Sequence, residues 1–310
     1  MAVAKQLALI GSKGMLASAV RSCGCNEWEI APLDLPEFDV TDLPLVASVL
    51  RELRPEVIIN CAGYTNVDGA EAEEALAMRV NGEGPGNLAH VAKQLGATLV
   101  HVSTDYVFDG AKTAPYLEDD PVASISAYGR TKLAGEKAIA DSGLERFYIV
   151  RTSWLYGPGG KNFVETILRL ATEREELRVV ADQIGSPTYT ADLAKAIFAL
   201  LSARGQRAPY GIYHFSNEGQ TSWYEFARAI ISLAQQQGMP VKTQRVLPVR
   251  TDEYPLPAAR PAYSVFSKDK YRAATGALVP DWQSGLQRYL QERFSCCSPH
   301  PARNLPEESP

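Results

Sequence analysis

Gln6-Leu-Ala-Leu-Ile10 runs without a break into Gly11-Ser-Lys-Gly14-Met-Leu-Ala17, an apolar β-type run closed by a G-x-x-G-x-x-A turn that opens a helix. Glycine at 11 permits a tight turn, and glycine at 14 lets backbone amides approach a pyrophosphate. A small residue at 17 lets the new helix pack close to the strand. Placed at the first strand-to-helix junction, the turn predicts a dinucleotide diphosphate on the helix N-terminus. Outward from it, Trp28 to Leu33, Val57 to Asn60, Leu99 to Ser103 and Phe147 to Arg151 read as further strands. Met15 to Ser22, Leu45 to Leu53, Glu83 to Leu95 and Ala127 to Asp141, rich in Ala, Leu, Glu and Lys, read as the helices between them. That alternation predicts an α/β fold, a doubly wound parallel sheet with crossover helices.

Beyond Trp154 the pattern loosens. Phe163 to Ala171, Ala191 to Leu201, Trp223 to Gln237 and Trp282 to Phe294 read as helices, and Arg178 to Ala181 and Gly211 to Phe215 as strands. The expected division is a dinucleotide-binding Rossmann domain over residues 1–155, completed by returning segments near 186–216. A smaller substrate-binding lid takes 156–185 and 217–295, and a proline-containing, apolar-poor tail over 296–310 is expected to be disordered. A chain of 310 residues, 45% hydrophobic and 22% charged, can bury such a core. Its net charge of −5 gives no basic surplus for nucleic acid or an anionic membrane. No apolar run reaches the roughly 20 residues of a membrane span, and no secretory signal is read. The five cysteines, Cys23, Cys25, Cys61, Cys296 and Cys297, include no C-x-x-C pair. They read as reduced thiols of a cytoplasmic protein.

Asp34 lies 20 residues beyond Gly14, near the end of the second strand, where a carboxylate accepts bonds from an adenine ribose. Asp39 and Val40 are a second candidate for that region. No Arg or Lys follows Asp34 to hold a 2′-phosphate, although Lys13 can serve, so NADH and NADPH both remain open. Tyr128-Gly-Arg-Thr-Lys132 sets a phenol and an ammonium one helical turn apart on one face. The ammonium can lower the phenol's pKa from about 10 and reach the cofactor ribose. A tyrosine so placed can protonate a carbonyl oxygen as hydride reaches its carbon. Leu99-Val-His-Val-Ser-Thr104-Asp-Tyr-Val-Phe-Asp-Gly110 is an apolar strand ending in hydroxyls and a carboxylate. Its carboxyl end should therefore face the ligand, with Thr104 beside Tyr128.

These segments resemble the extended short-chain dehydrogenase/reductases, and within them the branch that reduces the C4 ketone of dTDP-4-dehydro-L-rhamnose. The likeness continues through Asn60-Cys-Ala-Gly-Tyr-Thr-Asn-Val-Asp68, Arg151-Thr-Ser-Trp-Leu-Tyr-Gly157, Asp182-Gln-Ile-Gly-Ser-Pro-Thr188 and Arg260-Pro-Ala-Tyr-Ser264. It implies a nucleotide-sugar substrate, NADPH or NADH as cofactor, and a monomer or homodimer. Tyr128 would be the proton donor, Lys132 its tuning partner and ribose ligand, and Thr104 its hydrogen-bonding companion. Thr104, Asp105 and Trp154 would line the sugar, with Asn162 near the diphosphate. Gly11, Gly14, Met15, Leu16, Ala62, Gly63, Tyr64 and Val102 would lie along the cofactor, with Asp34, Asp39 and Val40. Some members dimerise through magnesium held by glutamates; here Ser18, Ala19 and their neighbours stand where a glutamate is expected, so no metal site is expected.

The same residues exclude neighbouring activities. A 4,6-dehydratase needs adjacent carboxyls after the strand-end threonine, and here Tyr106 follows Thr104-Asp105. A 4-epimerase would show Ser-Ser-Ala there, and a 3,5-epimerising reductase an extra Cys or His between Ser103 and Lys132. A non-catalytic regulatory subunit, known in the same lineage, would be supported by loss of the tyrosine or lysine; both are present. His90, His101 and His214 read as packed or surface residues, Glu71 to Glu74 as a solvated helix face, and Trp223, Tyr224 and Phe226 as lid core.

Overall fold

The computed structural model describes residues 5–24, 27–205 and 207–295. The expected disordered tail, with Cys296 and Cys297, lies outside the described residues, as does Cys25. Six strands form the central sheet: β1 (Lys5–Ile10), β2 (Trp28–Leu33), β3 (Val57–Asn60), β4 (Thr98–Thr104), β5 (Phe147–Thr152) and β6 (Gly211–His214). All neighbours are parallel, in the order β6-β5-β4-β3-β1-β2. The winding direction therefore reverses between β1 and β3, and open α/β sheets bind ligands outside the carboxyl ends of strands at such a reversal. All four residues of β3 and the last four of β1 are buried. Their continuous apolar runs fit strands covered on both faces.

The longer helices are α1 (Met15–Gly24), α2 (Leu43–Leu53), α3 (Gly84–Leu95), α4 (Ala127–Asp141), α5 (Phe163–Glu173), α6 (Thr190–Ala203), α7 (Trp223–Gln236) and α8 (Trp282–Ser295). On one face of the sheet Leu16, Ala17 and Val20 of α1 pack with Leu193, Ile197 and Leu200 of α6 over Leu7, Leu9 and Ile59. On the other, Val46 and Leu50 of α2, Leu88 and Val91 of α3 and Ile139 of α4 cover Ala8, Ile10 and Ile58. A separate core joins α5, α7 and α8 through Ile167, Phe226, Ile230 and Leu286, together with Leu177 and Val179 of the strand Glu176–Val180. That strand pairs in parallel with Arg245–Val249. The helix Asp269–Thr275, expected with the lid, instead sends Tyr271 and Ala274 into the sheet core beside α6. Among the described residues no helix is long and apolar enough to cross a membrane.

Element ends differ from expectation for local reasons. β4 runs through Thr104 because its ladder with β5 continues to the pair Thr104 and Thr152. α2 begins at Leu43, where Asp42 caps it by accepting from the Leu45 N–H at 3.0 Å and proline suits the first turn. α3 is preceded by a π-helical turn, Arg79–Glu83, which buries Asn81 and Gly82. The acidic run Glu71–Glu74 is more than a solvated face: the Glu71 carboxylate accepts from the Ala127 N–H at 2.8 Å, and Glu74 takes the Arg130 guanidinium with both oxygens.

Candidate active site

The site begins with the start of α4. The buried Ser126 hydroxyl accepts from the Gly129 N–H at 3.2 Å, and Glu71 takes the Ala127 N–H. Two of the unpaired amides at the helix N-terminus are thus satisfied, which fixes where the helix begins. Tyr128 and Lys132 follow one turn apart. Gly129 lets this turn seat against the end of β4, since a Cβ there would lie 2.1 Å from the Tyr106 carbonyl oxygen. β4 delivers Thr104, whose hydroxyl oxygen accepts from the Tyr106 N–H at 3.2 Å and whose proton goes to Asp105 Oδ1 at 3.1 Å. The Tyr128 phenol hydrogen-bonds to Thr104, and Ser264 hydrogen-bonds to the Asp105 carboxylate.

Burial sets the electrostatics of this group. The Tyr128 phenol is pushed up to about 12, first by burial and further by the Asp105 charge, with the Thr104 hydrogen bond acting against both. Its ring keeps an open edge on the cleft. Burial raises Asp105 to about 6, opposed by its bonds from Ser264 and Thr104. Burial lowers Lys132 to about 8, with the Glu136 carboxylate acting against it. The sequence reading expects Lys132 to lower the Tyr128 pKa. The net shift is upward instead, because burial dominates and Lys132 directs Nζ to the Val102 carbonyl at 2.7 Å and to His101 Nε2 at 3.2 Å. Tyr128 is therefore a fully protonated phenol at neutral pH, the form that can give a proton.

A cleft of about 560 Å³ runs from the glycine turn past the end of β3 to Tyr128 and Trp154, within the usual range for ligand sites. Gly14, Met15, Leu16, Ala62, Gly63, Tyr64 and Val102 line it, together with Thr104, Asp105, Tyr128, Lys132 and Trp154. Gly11 sits behind the turn at φ +72°, where a Cβ would stand 2.6 Å from the Ala62 nitrogen. Around Gly14 a Cβ would meet only the Gly11 carbonyl, at 3.2 Å, so the turn opens a cradle for backbone-to-phosphate contact on its outer side. These features fit a dinucleotide. Gly11→Ala should cost about 2 kcal/mol or more of stability through the left-handed φ and the clash. It should also weaken NADPH binding at least about tenfold through displacement of the turn; fluorescence titration reads this, and wild-type affinity would contradict it.

Asp34, Asp39, Val40 and Asn162 are not among the residues that line this cleft. Asp34 accepts from the Lys13 N–H at 2.7 Å and the Leu35 N–H at 2.8 Å, so its carboxylate braces the glycine turn from behind. Asp39 holds Thr41 through its N–H and hydroxyl, both at 2.8 Å, and Val40 is buried against α3. Asn162 caps α5 by accepting from the Glu165 N–H and donates to the carbonyls of Gly157 and Gly160, which ties the glycine-rich loop over Met15. Trp154 has φ 48°, in the left-handed region that a non-glycine residue seldom occupies. Its ring is stacked on Trp223 at 3.5 Å between centroids and packs against Gly185, where a Cβ would lie 2.5 Å away. Trp223, expected as lid core, thus supports the cleft floor.

Cys61, Asn81 and Lys161 also stand on the cleft wall, outside the positions that mark the site in the sequence. Asn81, in the π-helical turn, accepts from the Tyr64 N–H at 2.8 Å and donates to Thr131 of α4 at 3.2 Å, joining the β3 loop to the Tyr128 helix. Its signal lay in no local motif. Lys161 directly follows Gly157-Pro-Gly-Gly160, and a cation after such a loop was readable.

The doubly wound sheet, the glycine turn at its reversal and the Tyr128, Lys132 and Thr104 group define an NAD(P)-dependent oxidoreductase of the short-chain dehydrogenase/reductase type. Residues 5–294 match the family described as the RmlD substrate binding domain, and the chain belongs to that family. A protein of Burkholderia thailandensis named dTDP-4-dehydrorhamnose reductase is 43% identical over 274 residues, which cover 86% of this chain and 92% of the relative. One of Sinorhizobium fredii with the same name is 40% identical, covering 92% and 96%. Among solved structures, a dTDP-4-dehydrorhamnose reductase of Bacillus anthracis in complex with NADP matches with TM-score 0.88 and 43% identity, over 94% of this chain and all of that one.

Proposed function

We propose that the chain reduces the C4 ketone of dTDP-4-dehydro-L-rhamnose to give dTDP-L-rhamnose, with NADPH or NADH as cofactor and Tyr128 as proton donor. The observation that carries this reading is the pairing of Tyr128 with Thr104 at the strand end, in one cleft with the glycine cradle. When bound, the nicotinamide supplies hydride to the ketone carbon. Everything else falls to the chain. The Thr104 hydroxyl bond holds the Tyr128 phenol at the strand end, where an incoming ketone oxygen can take the phenol's proton. Transfer of that proton to the C4 oxygen leaves the alcohol and a phenolate, which a nearby ammonium at Lys132 stabilises and solvent reprotonates. The part of the Trp154 ring that lines the cleft offers the sugar an apolar floor, and Asp105 an acceptor for its hydroxyls.

Absorbance at 340 nm with purified protein tests the reading, with NADPH and NADH in separate cuvettes. Oxidation is expected with dTDP-4-dehydro-L-rhamnose and not with its unepimerised precursor. Cofactor binding without oxidation would contradict the substrate and favour another nucleotide-sugar ketone or a regulatory role.

A further inference from the structure

Behind Lys132 stands a chain of hydrogen bonds that the steps above do not use. The Ala62 N–H donates to Asn60 Oδ1 at 3.0 Å, which turns the Asn60 Nδ2 toward His101, 3.1 Å from its Nδ1. An amide nitrogen only donates, so Nδ1 must be the bare acceptor nitrogen of the ring. His101 is completely buried, and burial together with Lys132 holds it well below its ordinary pKa, so the ring is neutral and carries one proton. That proton is on Nε2, which faces Lys132 Nζ at 3.2 Å. An Nε2–H can only donate, so the partner it suits is the free-amine form of Lys132, whose lone pair accepts while one N–H goes to the Val102 carbonyl. Reversal of the chain needs Asn60 to turn over and set its NH₂ against the Ala62 N–H. Ala62 has little room to withdraw, since it packs directly against Gly11.

We propose that His101, backed by Asn60, is a positioning residue that turns an Nε2–H toward Lys132 Nζ, so that the ammonium at Lys132 is easier to lose than an ordinary lysine's. The inference rests on the proposed role of Lys132 and says what sets that residue's charge. The other groups that face Lys132 act weakly or the other way. Glu136, one turn further along α4, favours the ammonium but is already bound by Arg151 of β5 and by the Ser103 hydroxyl. Cys61, at the end of β3, is a neutral thiol pushed up to about 12 by burial. Tyr128, one turn earlier, is likewise neutral to about 12. Burial is the first cause that brings Lys132 down to about 8, and the Nε2–H facing Nζ acts in the same direction, so the ammonium is lost as pH rises through that range rather than near the usual lysine value. Since the ammonium is the form that stabilises the phenolate, kcat/KM should fall through that same range.

Two readouts test this. In the free protein, ¹⁵N-detected imidazole spectra should show His101 as the Nε2–H tautomer, its signals assigned by their loss in His101→Gln. In Asn60→Asp the new carboxylate still accepts from the Ala62 N–H but draws a proton onto Nδ1, so the tautomer should invert and Nε2 should accept from Lys132. The alkaline limb of kcat/KM should then move up by about one unit or more. An Nδ1–H tautomer in the wild type would overturn the proposal, and so would an inverted tautomer in Asn60→Asp with the limb unmoved. Failure of turnover with the proposed sugar would instead count against the reductase reading, because the tautomer is read without substrate or cofactor.

Discussion

Tyr128→Phe should lower kcat by about 10³-fold while NADPH affinity stays within a few-fold, because general acid catalysis by a positioned side chain is worth about 10²–10⁴. The substitution removes one oxygen and nothing else. The ring still meets Tyr106 edge-on at 5.4 Å between centroids, and Ser126 and Glu71 still cap α4. What is lost is the phenol's proton, and among the described residues no other group at the strand end replaces it: the Thr104 hydroxyl donates to Asp105, and Lys132 is turned toward Val102 and His101. Stopped-flow turnover with a parallel fluorescence titration reads both quantities. Near-normal kcat in this variant would refute the role given to Tyr128.

A second large effect is expected on stability. Arg151 and Glu136 form an ion pair with side chains only 3% and 4% exposed, in which the guanidinium spans both carboxylate oxygens at 2.7 to 3.2 Å. Removal of one member of such a pair leaves a buried charge without compensation, at a cost of about 3–5 kcal/mol. Arg151→Leu should therefore take away a large part of the roughly 5–15 kcal/mol that holds a domain together, read as a fall in the urea midpoint. Because buried pairs replaced by apolar residues are often near neutral, the double variant Arg151→Leu with Glu136→Leu should recover most of that loss. A double variant as unstable as the single one would show that packing, not the stranded carboxylate, carries the cost. Glu136 lies one turn beyond Lys132, so the single variant should also loosen the face of α4 that carries Tyr128 and Lys132.

The parts of the site readable in the sequence are those that local spacing determines. Tyr128 and Lys132 share a face because a helix repeats every turn, and Gly11 and Gly14 mark a turn because only glycine suits that backbone. Parallel strands buried on both faces announce themselves as unbroken apolar runs, which is why β1, β3 and β4 stand close to where the sequence puts them. Contacts set by register across the sheet left no such mark. Asn60 meets His101 across 41 residues and Lys132 meets His101 across 31, so His101 reads as a plain core histidine until β3, β4 and α4 are side by side. Asp34 has the spacing from the glycine turn of a ribose ligand, and spacing alone did not announce that its carboxylate also accepts from the Lys13 N–H of the turn and from the adjacent Leu35 N–H. The left-handed backbone of Trp154 follows from its wedge between Gly185 and Trp223, both distant in sequence.

The measurement that tests the central claim most directly is mass and proton NMR analysis of the sugar product formed with NADPH carrying deuterium at the transferable position of the nicotinamide. The account predicts one deuterium per sugar, located at C4, with the hydroxyl proton drawn from solvent through Tyr128. Product without deuterium, or with deuterium at another carbon, would contradict it.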